Sequence, residues 1–278
     1  MKLLRVGDLG NEIPAALDNN GDIRDLSSHI KDLTPETINF KNLEKLKKLN
    51  LEALPLIPKS SRIGACVHKP GKFIGIGLNF SDHAAEIGAQ IPKEPIIFMK
   101  AVSSISGPND EIVIPKNSNK CDWEVEIGFI VGKEAKNITQ LDSENHIFGY
   151  CLVNDVSERE WQLKSSGQWV KGKSADTFGP IGPYLVTKDE IKNVQNLNMK
   201  LDLNGKNMQK GNTNKMIFDI NFILSYLSKF MTLLPGDIIT TGTPPGIGNG
   251  KKPPIFLKSG DEVLLSIDKL GQQKQKVK

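Results

Sequence analysis

From residue 123 to residue 131 the chain alternates without a break. Trp123, Val125, Ile127, Phe129 and Val131 fall on one side of an extended backbone, and Glu124, Glu126, Gly128 and Ile130 fall on the other. That period admits a strand and argues against a helix. It also sets two glutamates on one face, their Cα atoms roughly 6.6 Å apart, two strand rises. Shorter apolar runs at 73–77, 95–99, 150–154, 238–241 and 262–267 read as further strands. Residues 1 to about 30 read as a strand, a hairpin turn at Asn19-Asn20-Gly21-Asp22, and a strand.

Helical pattern is scarce. A lysine-rich segment at about 35–50 offers Thr34 or Thr37 as caps. An amphipathic helix at about 219–231 places Phe222, Ile223, Leu227, Phe230 and Met231 on one face and stops at Pro235-Gly236-Asp237. Many strands and few helices predict an α+β, β-dominated fold. Pro55 and Pro58 break the chain, so a small N-terminal α/β module is expected over 1–65 and a catalytic domain over 66–278.

The bulk properties exclude several classes. Net charge is +4, and the closest thing to a basic run is the tail 269–278, which argues against a nucleic-acid partner. No stretch approaches the ~20 apolar residues of a membrane span. Lys2, Arg5 and Asp8 interrupt the N-terminus too early for a secretory segment. Cys66, Cys121 and Cys151 match no zinc or redox spacing and read as free thiols in a reducing compartment, so the expected location is cytoplasmic.

Two features carry chemistry. Glu124 and Glu126 share a strand face, and Asp155 ends another strand; together they form an all-oxygen set suited to Mg²⁺, Mn²⁺ or Ca²⁺. His83 and Glu86 lie three apart after a turn opened by Asn79 and Ser81-Asp82, a spacing that lets the carboxylate orient the imidazole. Two glycine-rich runs mislead. Gly75-Ile76-Gly77-Leu78-Asn79-Phe80 lacks the third glycine of a dinucleotide fingerprint, and the prolines of 241–248 exclude a phosphate loop. The latter can still wall a pocket, with the Thr243 hydroxyl as a donor.

Taken in order, these stretches resemble the fumarylacetoacetate hydrolase superfamily from about residue 71 to 267. The carrying motifs are Gly77-Leu78-Asn79-Phe80 with His83 and Glu86, Asp122-Trp123-Glu124-Val125-Glu126, Asn154-Asp155 with Arg159 and Gln162, Gly172-Lys173-Ser174-Ala175-Asp176-Thr177-Phe178-Gly179-Pro180, and Thr241-Gly242-Thr243-Pro244-Pro245-Gly246. Phe80 departs from the pattern, standing where tyrosine is frequent.

The resemblance implies a mixed β-sandwich roll, a homodimer, and Mg²⁺ or Mn²⁺ on Glu124, Glu126 and Asp155, with Ca²⁺ able to substitute in a crystal. It implies His83 and Glu86 as a water-activating dyad, Lys173 as an electrophilic lysine, and Arg159, Gln162 and Thr243 near a small anionic keto-acid substrate. The expected reaction is hydrolysis of a C–C bond in an acylpyruvate-type 2,4-diketo acid, such as a 2,4-diketo-3-deoxy rhamnonate or fuconate, releasing pyruvate. Ureidoglycolate lyase, hydroxymuconate-type isomerase or decarboxylase, and a non-catalytic ligand-binding homologue are the alternatives. Gln168, Trp169, Lys171 and the segment in the 80s are the expected determinants of the substrate tail.

Overall fold

In the computed structural model, which describes residues 1–164 and 167–278, the alternating stretch lies at the heart of the molecule. The strand Val125–Val131 is buried along its whole length. It pairs antiparallel with Ile147–Asn154 on one side and with Ile238–Thr240 on the other. Among the described residues the main sheet has ten strands, in the order Leu56–Ile57, Ile23–Asp25, Ile13–Leu17, Lys2–Val6, Leu185–Thr187, Ile147–Asn154, Val125–Val131, Ile238–Thr240, Phe73–Gly77, Ile96–Lys100. A second sheet, Lys206–Asn212, Asn198–Leu203, Glu262–Ile267 and Gly271–Lys276, packs over it. Two large sheets, two two-stranded ones, short helices and long connections make this a β-dominated α+β fold.

The central strand is covered on both faces. Val125, Ile127 and Phe129 share one apolar cluster with Leu201, Leu203, Val263 and Leu265 of the second sheet. Ile130 faces the other way, into a cluster with Leu3, Phe73, Val153 and Ile238. Full burial of such branched side chains is worth about 1.5–3 kcal/mol each. Gly128 has to be small, because a Cβ there would stand 2.8 Å from Val153 Cγ2 and 3.1 Å from Cys151 Sγ.

The N-terminal strands extend this sheet: Lys2 pairs with Val186 and Leu3 with Leu185. The turn at 19–22 forms a hairpin, with Asp18 Oδ1 accepting from the Asn20 and Asp22 amides, both at 2.9 Å, and Gly21 in the left-handed region at φ +75°. Leu3 and Ala16 share a core with Cys66, Phe73 and Ile238 from beyond residue 65.

Both helices are shorter than their patterns suggest. The first is Phe40–Leu46, capped by Asn39, whose side chain accepts from Asn42 N. Thr34 and Thr37 do not cap it. The Thr37 hydroxyl folds back onto the carbonyls of Asp32 and Thr34, closing a turn that keeps 34–38 out of the helix. The second is Ile220–Ser228, capped by Asp219, and it buries Ile220, Ile223, Leu224 and Leu227. Phe218, Phe222, Tyr226 and Phe230 instead form a ladder along its flank at i, i+4 spacing, and Phe230 is exposed.

The basic tail is a strand too. Gly271–Lys276 pairs with Glu262–Ile267, with Lys274 and Lys276 turned outward and Gln273 and Gln275 wholly buried. All three cysteines are free and buried. Among the described residues no helix is long and apolar enough to cross a membrane.

Candidate active site

The pairing of two central strands assembles the acidic cluster. Val153 lies opposite Glu126 and Asn154 opposite Val125, so the chain leaving that strand passes beside Glu124. Asp155 N donates to Glu124 O at 2.9 Å, and Glu124 N donates to Asn154 Oδ1 at 3.2 Å. One carboxylate oxygen from each of Glu124, Glu126 and Asp155 then lies within 4.8 Å of the others. All three side chains are buried.

Buried carboxylates need compensating charge, and cations surround these. The Lys173 ammonium donates to Glu124 Oε2 at 2.8 Å and to Asp155 Oδ2 at 2.7 Å. Lys100 donates to Asp155 Oδ1 at 2.6 Å, and Arg159 Nη2 donates to Glu124 Oε1 at 2.6 Å. Burial disfavours the charge on Glu124, but Arg159 and Lys173 outweigh it and hold that carboxyl well below the usual carboxylate range. Among the described residues, Glu126 receives only the Gly242 amide at 2.9 Å and the Thr240 hydroxyl. Burial, followed by the charges of Asp155 and Glu124, pushes Glu126 well above its ordinary value. Burial works against the Lys173 ammonium as well, yet Asp155 and Glu124 raise it. Lys100 goes the other way, with burial lowering it despite Asp155.

The donor set fits a divalent cation. Three buried oxygen donors converge, and one of them resists ionising beside its neighbours, which is the state a hard cation relieves.

Arg159 is aimed by Asp122. The Asp122 carboxylate accepts from Arg159 Nε at 2.8 Å, Trp123 N at 2.8 Å, Gly248 N at 2.6 Å and Asn249 N at 2.9 Å. Arg159 Nη1 donates to Gln162 Oε1 at 3.0 Å, within the short helix Arg159–Leu163. Asp122 thus ties the arginine to the loop after Gly246.

His83 and Glu86 lie on the helix Ser81–Glu86, with His83 Nδ1 3.0 Å from Glu86 Oε2. Gly246 N donates to both oxygens of Glu86, at 3.0 and 3.1 Å. The carboxylate is therefore fixed by the loop while it fixes the imidazole.

A cavity of about 770 Å³ unites these parts, and His83, Glu86, Glu124, Glu126, Arg159, Gln162, Lys173 and Thr243 all line it. Asp155 lies behind Glu124 and is joined to the cavity through Lys173. Thr243 differs from expectation in one respect. Its hydroxyl donates to Val125 O at 2.9 Å and accepts from Gln209 Nε2 at 2.8 Å, so its proton is already placed. Trp169 lines the cavity, whereas Gln168 and Lys171 are not among its described lining residues. The Trp169 ring lies against Gly77, where a Cβ would come within 2.3 Å of it, and that close approach requires the glycine.

Sequence reasoning did not find Lys100, a buried lysine that ends the apolar strand Ile96–Lys100. A charge terminating such a strand was the available signal. It also gave Asp122 no role of its own.

Known proteins resemble this chain in sequence and in fold. Residues 72–278 match the sequence profile described as fumarylacetoacetate (FAA) hydrolase C-terminal. A protein of Burkholderia ambifaria, provisionally named a hydrolase, is 54% identical over 276 residues, covering 99% of this chain and 98% of its own. The fumarylacetoacetate hydrolase of Exiguobacterium antarcticum superposes with a TM-score of 0.87 at 32% identity, covering 100% of this chain and 99% of its own. Maleylpyruvate hydrolase from Sphingobium sp. SYK-6, in complex with manganese(II) and pyruvate, gives a TM-score of 0.83 at 28% identity, covering 100% of this chain and 98% of its own. By fold, by sequence and by the order of its motifs, this chain belongs to the fumarylacetoacetate hydrolase family.

Proposed function

We propose that this protein is a metal-dependent hydrolase that cleaves an acylpyruvate-type 2,4-diketo acid to pyruvate and a second acid. The observation that carries the reading is the convergence of Glu124, Glu126 and Asp155 within 4.8 Å, on a cavity that also holds the His83–Glu86 pair. The relative with manganese(II) and pyruvate supports the same chemistry.

Glu124, Glu126 and Asp155 would hold Mg²⁺ or Mn²⁺, which when bound supplies Lewis-acid polarisation of substrate oxygens. The chain's own groups do the rest. With its Nδ1–H directed at Glu86, the His83 imidazole presents Nε2 as the free base. That nitrogen takes a proton from water, whose oxygen adds to the C4 carbonyl. Lys173 and Arg159 supply positive charge for the oxyanion that develops there; a fixed donor of this kind is worth about 3–4 kcal/mol. When the C3–C4 bond breaks, its electron pair passes to C3, which takes a proton to complete pyruvate, and C4 leaves as a carboxylate. The apolar wall of Ile76, Phe98 and Trp169 limits water around the reacting carbons.

Product analysis tests the reading. Acylpyruvates incubated with the enzyme and Mg²⁺ should yield pyruvate and the matching carboxylate in equal amounts. Solvent deuterium entering C3 without any cleavage would assign isomerisation instead.

A further inference from the structure

The same cavity is lined by Ile76, Ile96, Phe98 and Trp169 and by the stretch 249–252, in which Lys251 and Lys252 both line it. Lys251 is half-buried and Lys252 exposed, which places them toward its mouth. The backbone there is fixed. Gly246 N is bonded to Glu86, Gly248 N and Asn249 N are bonded to Asp122, and Ile255 N donates to Gly248 O at 3.0 Å. A Cβ at Gly250 would stand 3.5 Å from Glu86 Oε2, so the two lysines follow directly on a glycine that lies close to Glu86.

The cations of this cavity fall into two groups. Arg159 and Lys173 are bridged to Asp122, Glu124 and Asp155. Among the described residues Lys251 and Lys252 form no ion pair, and Lys251 has only a bond of 3.3 Å to the Met208 carbonyl. Two consecutive lysines without a carboxylate partner among the described residues, on the wall of a largely apolar cavity, are a place for an anion. They are a poor place for a polyol. Apart from His83, the uncharged polar side chains on the wall are Gln162, Asn249 and Thr243, whose hydroxyl is already bonded to Val125 and Gln209, and hydroxyls left without partners weaken binding.

We propose that Lys251 and Lys252 form a second, anion-binding subsite, and that the substrate is a diacid whose short hydrocarbon tail ends in a carboxylate, rather than a polyhydroxylated sugar acid. This inference rests on the keto-acid reading above and specifies the far end of the substrate.

The test uses two 2-oxo acids of equal length that lack the cleavable 4-keto group. Binding of 2-oxoheptanedioate and of 2-oxoheptanoate is measured by calorimetry with Mg²⁺ present, for the intact enzyme and for the Lys251→Met/Lys252→Met variant. The intact enzyme should bind the diacid at least about tenfold tighter, the scale of a charge-assisted hydrogen bond, and the variant should bind the two acids alike. Added salt should shrink the ratio, as expected for charges near solvent. Equal affinities in the intact enzyme, or a ratio unchanged in the variant, would overturn the subsite while leaving the keto-acid reading standing. Failure of both acids to bind, with or without Mg²⁺, would overturn the two together.

Discussion

Asp122 holds Arg159 by a 2.8 Å bond from Nε to Oδ2, and with its other bonds the same carboxylate clamps the backbone at Gly248 and Asn249. One wholly buried side chain thereby sets both the aim of the guanidinium and the position of the loop that fixes Glu86. Asp122→Asn would turn an N–H toward a donor. We expect a loss of about 3–5 kcal/mol, the penalty for breaking a buried ion pair, read as a lower denaturation midpoint. kcat should fall as well, because Arg159 loses its orientation. Wild-type stability and rate in this variant would show that the clamp is dispensable.

Lys173 occupies the space between Glu124 and Asp155. Its ammonium opposes an incoming cation, because like charges about 4 Å apart repel by about 4 kcal/mol at an effective dielectric of 20. Lys173→Met should therefore bind Mn²⁺ at least about tenfold tighter by calorimetry, while kcat falls about 10²- to 10³-fold for want of the donor. Weaker Mn²⁺ binding in the variant would contradict this placement of charge.

The dyad is expected to serve the reaction and not the metal. His83→Ala should lower kcat about 10²- to 10⁴-fold, the range of a positioned base, with Mn²⁺ affinity within twofold of wild type. Glu86→Gln should lower kcat less, since the amide keeps the contact with Gly246 but loses the charge that favours the imidazolium. Loss of metal binding together with activity would make the helix Ser81–Glu86 a structural support instead.

Glu126 governs the pH dependence. Its folded-state pKa lies above its unfolded value, so its stability contribution is complete at low pH and fades as pH rises through the folded value. The metal-free protein should therefore lose stability as pH rises through that range. Divalent-cation affinity should climb over the same range, by up to about tenfold per pH unit, as the proton is released to make the ligand. Glu126→Gln mimics the protonated form. It should melt higher than the metal-free wild type at alkaline pH, by ~2–4 °C for each kcal/mol recovered, and it should bind Mn²⁺ poorly at any pH. A flat affinity-versus-pH profile for wild type would refute the shift.

The C-terminal strand supports the site from beneath. Gln275 Oε1 accepts from Asn154 Nδ2 at 3.1 Å, and its Nε2 donates to Pro108 O at 2.6 Å. Asn154 in turn receives Glu124 N. Gln275→Leu should destabilise the fold by about 1–3 kcal/mol for each buried polar group left unpaired, and should weaken Mn²⁺ binding by disturbing Asp155. Unchanged melting would remove the strand from the support of the site.

Much of this site was legible because its residues sit close in the chain or on strongly periodic segments. Glu124 and Glu126 declare their shared face by the period of two, and His83 and Glu86 by their place on one helical turn. The hidden parts depend on contacts across long separations. Lys100 meets Asp155 only after the edge strand joins the main sheet, and Asp122 meets Gly248 across 126 residues. The tail 269–278 stands out in the sequence only as the closest thing to a basic run; the alternate burial of Gln273 and Gln275 depends on the sheet that receives them. The start of the first helix at Asn39 and the end of the second at Ser228 were misplaced for a local reason, since Thr37 and the aromatic flank compete with the apolar pattern that marks a helix interior.

The claim on which everything else depends is that Glu124, Glu126 and Asp155 hold a divalent ion that the reaction requires. Pyruvate release from an acylpyruvate should vanish when the protein is stripped with a chelator, return on titration with Mg²⁺ or Mn²⁺, and fail to return in Glu124→Ala at the same concentrations. A chelated enzyme turning over at the full rate, or a Glu124→Ala variant restored like the wild type, would contradict it.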